Sequence, residues 1–220
     1  KPEFHRCLHW GLDQRRGRSA TERSRITAII SSNESANALT PSWSSRSQWD
    51  WSETPAPKRG EILLKVAKLL RQRKEELAKL ETTEMGKVLP ESRGDVQEAI
   101  DIFEYMAGEG RRLFGHTTPS ELKDKFACTI RRPVGVVGMI TPWNFPIAIP
   151  AWKISAAIIC GNSIVFKPSS DTPLCAVELV KILAEAGVPP GVVNLVTGPG
   201  STVGKEIVSN KKHCTSNSSA

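Results

Sequence analysis

The 220-residue sequence lacks the features that would place it in a membrane or in an oxidising compartment. No run approaches the roughly 18 apolar residues of a membrane span, and the N-terminus has no apolar core of signal-peptide length. The five cysteines are an odd number without CxxC or other metal-ligand spacing, so we predict neither a complete disulfide scheme nor a metal site. We expect a soluble, cytoplasmic protein that spans no membrane.

The sequence also lacks the pattern of a nucleic-acid-binding protein, although its formal net charge is +7. Arginines cluster in RRGR (residues 15–18) and ERSR (residues 22–25), but these stretches have no interleaved aromatic residues and no helical periodicity. With 39% hydrophobic and 24% charged residues, the composition is that of a globular protein. We expect no nucleic-acid partner.

Helices are predicted to begin after residue 48, because residues 1–48 show no sustained apolar periodicity and are expected to form an irregular segment. An apolar stripe with a period near 3.6 indicates one long amphipathic helix over residues 57–87. A second helix is expected from about Arg93 to Arg112, and KDKFACTIRRP indicates a short strand that ends at Pro133. Residues 49–132 are thus predicted to be mainly helical.

Three apolar, β-branched runs follow, and each precedes a helical pattern: VGVVGMI, NSIVFKPS and GVVNLVTG. Strands that alternate with helices, and that are apolar without alternation, indicate a parallel sheet covered on both faces. Residues 133–210 are therefore predicted to form a Rossmann-like open sheet in an α/β fold. Residues 211–220 form a tail outside this pattern.

A turn follows each of these strands: TPWNFP (residues 141–146), KPSSDTP (residues 167–173) and GPGSTVG (residues 198–204). Because ligands of open α/β sheets bind outside the carboxyl ends of the strands, the three turns should converge on one crevice. This crevice is the predicted functional site.

The first turn is predicted to be rigid, because prolines recur at every fourth position: Pro142, Pro146 and Pro150. They rule out a regular helix through the segment and bias the residues before them toward extended conformations: Thr141, Phe145 and Ile149. A rigid turn could hold the amide of Asn144 as a donor toward a developing oxyanion. The alternative is an asparagine that satisfies its own turn.

The other two turns have the composition of a nucleotide site, but each has a simpler interpretation. Lys167 could reach a ribose or a phosphate, or it could be a solvated lysine before a helix cap, for which Ser169 to Thr172 supply acceptors. The third turn has the spacing GxGxxxG, and its glycines allow a close backbone approach to a phosphate: Gly198, Gly200 and Gly204. An ordinary βα turn is the alternative.

Taken together, residues from about Trp49 to Ser209 resemble the N-terminal and cofactor-binding part of the aldehyde dehydrogenase superfamily, especially its semialdehyde dehydrogenases. The resemblance rests on PAPKRGEILLKVAKLL, ETTEMGK, GDVQEAIDIFEYMAGEGRR, RRPVGVVGMITPWNFPIAIPAWKISAAIICGNSIVFKPSSDTP and AGVPPGVVNLVTGPGSTVG. It implies a partial aldehyde dehydrogenase fold, a small-molecule aldehyde substrate, NADP or NAD as cofactor and a possible homo-oligomer.

The resemblance also implies roles for individual residues. Asn144 matches the family's oxyanion asparagine, and Lys153 matches a lysine near the active site. The implied cofactor contacts are Ile140, Thr141, Pro142, Trp143, Asn144, Lys167, Pro168, Ser169, Ser170, Gly200 and Gly204. Ser170 stands where NAD-preferring members often have Glu, and a neutral residue there would not repel a 2'-phosphate. We therefore expect NADP to be accepted.

In the family, a cysteine thiolate attacks the aldehyde and a glutamate activates the water that hydrolyses the thioester. After GKEIVS the family continues into another strand and a turn of the FTGST type, whereas this chain reads NKKHCTSNSSA. Cys214 lacks the flanking residues of the nucleophile, while Cys160 and Cys175 are expected to be small core residues.

We therefore expect the chain as given to lack nucleophile and general base and to be inactive alone. The alternative is a non-catalytic dinucleotide-binding or interaction protein, for which a missing strand would leave an apolar sheet edge.

Overall fold

The computed structural model describes residues 49–210 and 215–218. The predicted irregular segment 1–48, with its arginine-rich stretches, and Cys214 in the tail lie outside the described residues. In the described part of the chain, no helix is long and apolar enough to cross a membrane.

In the described part of the chain, a helical segment at residues 49–53 is followed by three longer helices before the sheet: α1 (Ala56–Gln72), α2 (Lys74–Met85) and α3 (Leu89–Glu109). The prediction of one long helix over residues 57–87 is wrong, because the helix breaks at Arg73, whose φ of −104° and ψ of 13° are not helical. No apolar residue occurs between Leu70 and Leu77, so the stripe is interrupted where the chain changes direction. The second helix begins and ends earlier than predicted, with Pro90 in the first turn that tolerates proline.

The strand predicted over KDKFACTIRRP is much shorter than expected. Strand β2 (Ala127–Cys128) pairs antiparallel with β1 (Thr117–Thr118), and Pro133 lies outside it. Pairing extends no further than a hydrogen bond from Thr129 N to His116 O at 2.8 Å. Residues 129–132 are exposed, and the further contacts of this segment are made by side chains. Thr129 Oγ1 accepts a hydrogen bond from His116 N at 2.8 Å, and Arg131 Nε donates to Phe114 O at 2.9 Å.

The main sheet contains β3 (Val136–Ile140), β4 (Ser163–Lys167), β5 (Val193–Leu195) and β6 (Thr215–Ser218). All pairs are parallel and the order is β5-β4-β3-β6, which confirms the predicted Rossmann-like open sheet. Strand β6 pairs with β3 and forms one edge of this sheet.

Helices cover both faces of the sheet. Helices α4 (Ala148–Ile159) and α5 (Pro173–Ala186) pack with α1 to α3 on one face, and all five share one hydrophobic core with the sheet. The other face is covered by a π-helical turn (Gly200–Gly204) and α6 (Lys205–Ser209) through a smaller cluster that includes Val165 and Val203. The predicted domain boundaries stay a prediction.

Helix α4, which follows the first turn, is fixed at both ends. Its last carbonyl groups accept hydrogen bonds from buried side chains, Trp51 Nε1 to Ile158 O and Arg59 Nε to Ile159 O, both at 2.9 Å. The expectation of an extended Ile149 is wrong, because Pro150 lies in the first turn of the helix, where no intrahelical N–H donor is needed.

Candidate active site

The three turns lie together at the carboxyl ends of β3, β4 and β5. Thr141 N donates to Lys167 O at 3.1 Å, which joins the first turn to the second. Ser170 Oγ donates to Gly198 O at 3.3 Å, which joins the second to the third. A Cβ atom placed on Gly204 would lie 3.9 Å from the side chain of Lys167. The fold thus brings the predicted site residues of all three turns into one region.

The first turn presents its polar side chain outward. Asn144 is exposed, and its carboxamide forms no hydrogen bond with any residue that the structure describes. Trp143 beside it is 54% exposed, whereas Thr141 and Pro146 at the two ends of the turn are buried. The alternative of an asparagine that satisfies its own turn therefore has no hydrogen bond to support it.

A buried group of charges lies behind this turn, and we call Glu81, Lys87 and Asp95 the ion cluster. Lys87 Nζ lies 2.8 Å from Glu81 Oε1 and 3.3 Å from Asp95 Oδ2. The other carboxylate oxygen, Asp95 Oδ1, accepts a hydrogen bond from Ala148 N at 2.6 Å, at the start of α4. The Lys87 ammonium also lies 4.0 Å from the centre of the Phe145 ring.

Burial raises the pKa values of both carboxyl groups in the ion cluster. It raises the pKa of Glu81 to about 7, with a further contribution from the Asp95 charge and with Lys87 opposing the shift. It also raises the pKa of Asp95, against the hydrogen bond from Ala148 and the charge of Lys87. Burial would lower the pKa of Lys87, but the two carboxyl groups outweigh it and raise that pKa.

Sequence reasoning missed the ion cluster, although ETTEMGK contains two of its members. Its third member is Asp95, and the backbone group that Asp95 binds is 53 residues away. Burial of Glu81 and Asp95 distinguishes these charges from a solvated helix face, and the sequence does not show that burial.

Another residue of ETTEMGK holds the second turn. The Glu84 carboxylate accepts hydrogen bonds from Leu174 N at 2.6 Å and from Cys175 N at 2.9 Å, at the start of α5. The predicted cap within residues 169–172 is wrong, because Thr172 at the N-cap position makes no side-chain cap hydrogen bond. Its buried hydroxyl has no partner in the described part of the chain. A charged carboxylate from α2 takes that role instead.

Lys167 is buried rather than solvated, so the simpler interpretation of that residue is wrong. It is 4% exposed, and its ammonium donates to Pro168 O at 2.9 Å. Burial lowers the pKa of Lys167, against the effect of the nearby Asp171 charge. Asp171 itself accepts a hydrogen bond from Ser169 Oγ at 3.0 Å.

The third turn needs glycine for its fold at one position. Gly198 has a φ of +151°, and a Cβ atom there would lie 2.6 Å from Val203 Cγ2. A Cβ atom on Gly200 would meet nothing within 4 Å, and one on Gly204 would make ordinary contacts. The absence of side chains at positions 200 and 204 therefore leaves space above the sheet without being required by packing.

Lys153 lies on α4, in the wall of an apolar groove of about 420 Å³ between this helix and β3. Val137, Met139 and Trp152 line the same groove, and burial lowers the pKa of Lys153. The place of Lys153 in the site stays a prediction.

Two of the described cysteines, Cys160 and Cys175, are thiols of the core. Cys175 is fully buried and Cys160 packs against the same core, which confirms that both are small core residues. Burial raises the pKa of both thiols and keeps them protonated at neutral pH. Cys128 is exposed in the short strand β2, away from the main sheet.

Comparison with known proteins agrees with this architecture. The Aldehyde dehydrogenase family profile matches residues 21–215. The alpha-ketoglutarate semialdehyde dehydrogenase of Haloferax volcanii is 44% identical over 186 residues, which cover 84% of this chain and 39% of that protein.

Solved structures give the same result at the level of the fold. An NADP dependent enzyme from E. coli matches with a TM-score of 0.74 and 39% identity, over 76% of this chain and 35% of that one. A point mutant of betaine aldehyde dehydrogenase from Staphylococcus aureus, in complex with NAD+, matches with a TM-score of 0.75 and 36% identity, over 78% and 35%. The chain spans 35–39% of the length of these three proteins. With the family profile covering most of its residues, the chain belongs to the aldehyde dehydrogenase family.

Proposed function

We propose that the full-length protein is an NAD(P)-dependent enzyme that oxidises an aldehyde to a carboxylate, and that the described residues supply its cofactor crevice and its oxyanion donor. The observation that carries this proposal is the union of the three turns by the Thr141–Lys167 and Ser170–Gly198 hydrogen bonds. The similarity to a semialdehyde dehydrogenase favours a substrate with a second oxygen-bearing group.

The residues present fit a dinucleotide. The Lys167 ammonium has three protons and uses one on Pro168 O, so it has donors available for ribose hydroxyl groups. Gly200 offers open space at the start of a helical segment, where the first N–H groups have no intrahelical partner and favour a phosphate. When bound, the nicotinamide would accept the hydride that leaves the substrate carbon.

Asn144 is the residue of this chain that would act on the substrate. Its exposed carboxamide can donate to the oxygen of an aldehyde as that oxygen gains negative charge. A fixed donor of this kind contributes about 3 to 4 kcal/mol to the transition state in other enzymes. Cys160 and Cys175 are core thiols and are not suited to the nucleophilic step, and we infer that this part of the protein binds cofactor without turnover.

Ser170 supports acceptance of NADP. Its side chain is exposed at the second turn and hydrogen-bonds to a backbone carbonyl, so no carboxylate at this position would repel a 2'-phosphate. NAD, which lacks that phosphate, is accommodated by the same groups.

Calorimetric titration with NADP and with NAD tests this proposal. We expect both to bind, and Lys167→Met to weaken both at least tenfold because the ribose donors are lost. Lys79→Met, which removes an exposed lysine of α2, is the matched control and should bind as the unaltered chain does. Failure of both dinucleotides to bind at millimolar concentration would overturn the proposed cofactor site.

We further propose that the chain associates with copies of itself through the segment around the β1–β2 pair. Its apolar side chains are strongly exposed, with Phe126 at 80% and Ile130 at 70%. Exposed apolar patches of this kind mark association surfaces. Sedimentation velocity tests the proposal, and a monomer at all concentrations for both the chain and Phe126→Ser would contradict it.

A further inference from the structure

The ion cluster contacts the chain just before and just after the buried residue Pro146, at the C-terminal end of the first turn. Asp95 binds the backbone of Ala148, where the turn enters α4, and the Lys87 ammonium lies against the ring of Phe145. Phe145 is the residue next to Asn144 in the chain. Both contacts therefore come from one lysine–aspartate pair and lie on the C-terminal side of Asn144, which carries the proposed oxyanion donor.

We propose that Glu81, Lys87 and Asp95 are positioning residues for Asn144, which they hold through Phe145 and the first N–H group of α4. The inference rests on the proposed function for what Asn144 does to a substrate. The contacts that hold the turn are observed in the structure whether or not that function is correct.

Stability alone gives no reason for this arrangement. Two carboxyl groups and one ammonium are removed from water here, with Glu81 fully buried and the Lys87 side chain 9% exposed. The desolvation penalty of such a group is comparable to its Coulombic gain, and apolar residues of similar volume are often as stable. What apolar residues cannot supply is a charged acceptor for Ala148 N together with a cation against the Phe145 ring.

Lys87 is the member through which the cluster reaches the turn. Its ammonium is shared between Glu81, Asp95 and the Phe145 ring. Protonation of Glu81 removes one of its counter-charges and shifts the ammonium toward the other two. Cys175 on α5 feels the cluster, because its pKa is raised by burial and further by Glu84, Glu81 and Asp95. Glu84 on α2 is engaged by the α5 backbone.

A pH titration of the unaltered chain, followed by NMR without cofactor or substrate, tests this proposal. We expect the side-chain amide signals of Asn144 to shift with the same midpoint as the Glu81 carboxyl carbon, and to stop doing so in Glu81→Gln. A residue that merely stabilises the fold would not transmit its ionisation to Asn144. Invariant Asn144 signals while Glu81 titrates would overturn the proposal, and cofactor binding, measured separately, would be unaffected by that result.

Amide hydrogen exchange in variants gives an independent test, because α4 and α5 are capped in the same way by different carboxylates. We expect Asp95→Asn to speed exchange of the Ala148 amide at least tenfold and to leave Leu174 and Cys175 unchanged. Glu84→Gln is the matched control and should have the reverse effect. Equal acceleration at both helix ends would show general loosening and contradict a positioning role. Should Asp95→Asn fail to fold, the titration of the unaltered chain still decides the question.

Discussion

Helices α2 and α3 are joined by two sets of charges that have similar geometry and opposite surroundings. Arg93 Nε lies 2.9 Å from Glu75 Oε1, and Lys87 Nζ lies 2.8 Å from Glu81 Oε1. The side chains of the first pair are 44% and 58% exposed, whereas those of the second are 9% and 0% exposed. The pKa of Glu75 is lowered by its hydrogen bond from Arg93, but that of Glu81 is raised by burial.

The comparison shows that contact distance does not decide what an ion pair does. In water the positive partner dominates and favours the ionised carboxylate. In the core, loss of hydration outweighs a partner at the same distance. An exposed pair of this kind contributes little to stability, while a buried one responds strongly to the loss of a partner. The buried set is also the one that contacts the turn carrying Asn144.

Of the changes that separate the buried from the exposed charges, removal of Lys87 should have the largest effect on stability. Lys87→Met leaves two buried carboxyl groups without a cation, and we expect it to lower the free energy of unfolding at pH 8 by about 3–5 kcal/mol. Urea denaturation measures the loss. Arg93→Met is the matched control on the exposed pair and should leave the free energy of unfolding unchanged within error. Equal losses in the two variants would show that burial does not separate the two sets.

The pH dependence of Glu81 should be the next largest effect. Its pKa is raised from 4.5 to about 7 in the fold, so the folded chain binds this proton more tightly than the unfolded chain. The stabilisation is complete below pH 4.5 and is lost as the pH rises through about 7. We expect the stability of the unaltered chain, relative to Glu81→Gln, to fall by about 3 kcal/mol over that range. A difference that is constant with pH would contradict the shifted pKa.

The parts of the site that depend on chain order could be predicted from the sequence. β-Branched runs separated by helical patterns require a parallel sheet, and the carboxyl ends of its strands must lie together. Asn144, Lys167 and Gly200 were placed at those ends by position alone, and the structure joins their turns.

The parts that depend on distant pairing could not be predicted. Asp95 and Glu84 act on backbone groups 53 and 91 residues away, at a distance in sequence where local patterns carry no information. The break at Arg73 was missed for a different reason, because a stripe of period 3.6 resumes in α2 after six polar residues and looks continuous. Tertiary packing, not local propensity, decides these features.

Introducing a carboxylate at position 170 tests whether an exposed charge can determine cofactor choice without changing the stability of the fold. Ser170→Glu removes the hydrogen bond to Gly198 O, but this bond is long and exposed, so the midpoint of urea denaturation should change little. It should reduce NADP affinity at least tenfold relative to NAD affinity, because the carboxylate repels a 2'-phosphate. Ser170→Gln has similar size without charge and is the control, and calorimetric titration measures both. Equal losses for both dinucleotides would contradict a role of position 170 in cofactor choice.

The exposed pair should give the smallest effect, with the opposite sign to that of Glu81. Because the pKa of Glu75 is lowered in the fold, its contribution is present above the unfolded pKa and is lost as the pH falls. The stability of the unaltered chain relative to Glu75→Gln should therefore rise with pH, where the difference for Glu81→Gln falls. Since salt screens exposed charges and hardly reaches buried ones, 1 M NaCl should remove the Glu75 difference and leave that of Glu81. If both differences followed pH in the same direction, or if salt affected them equally, burial would not be the cause of their contrast.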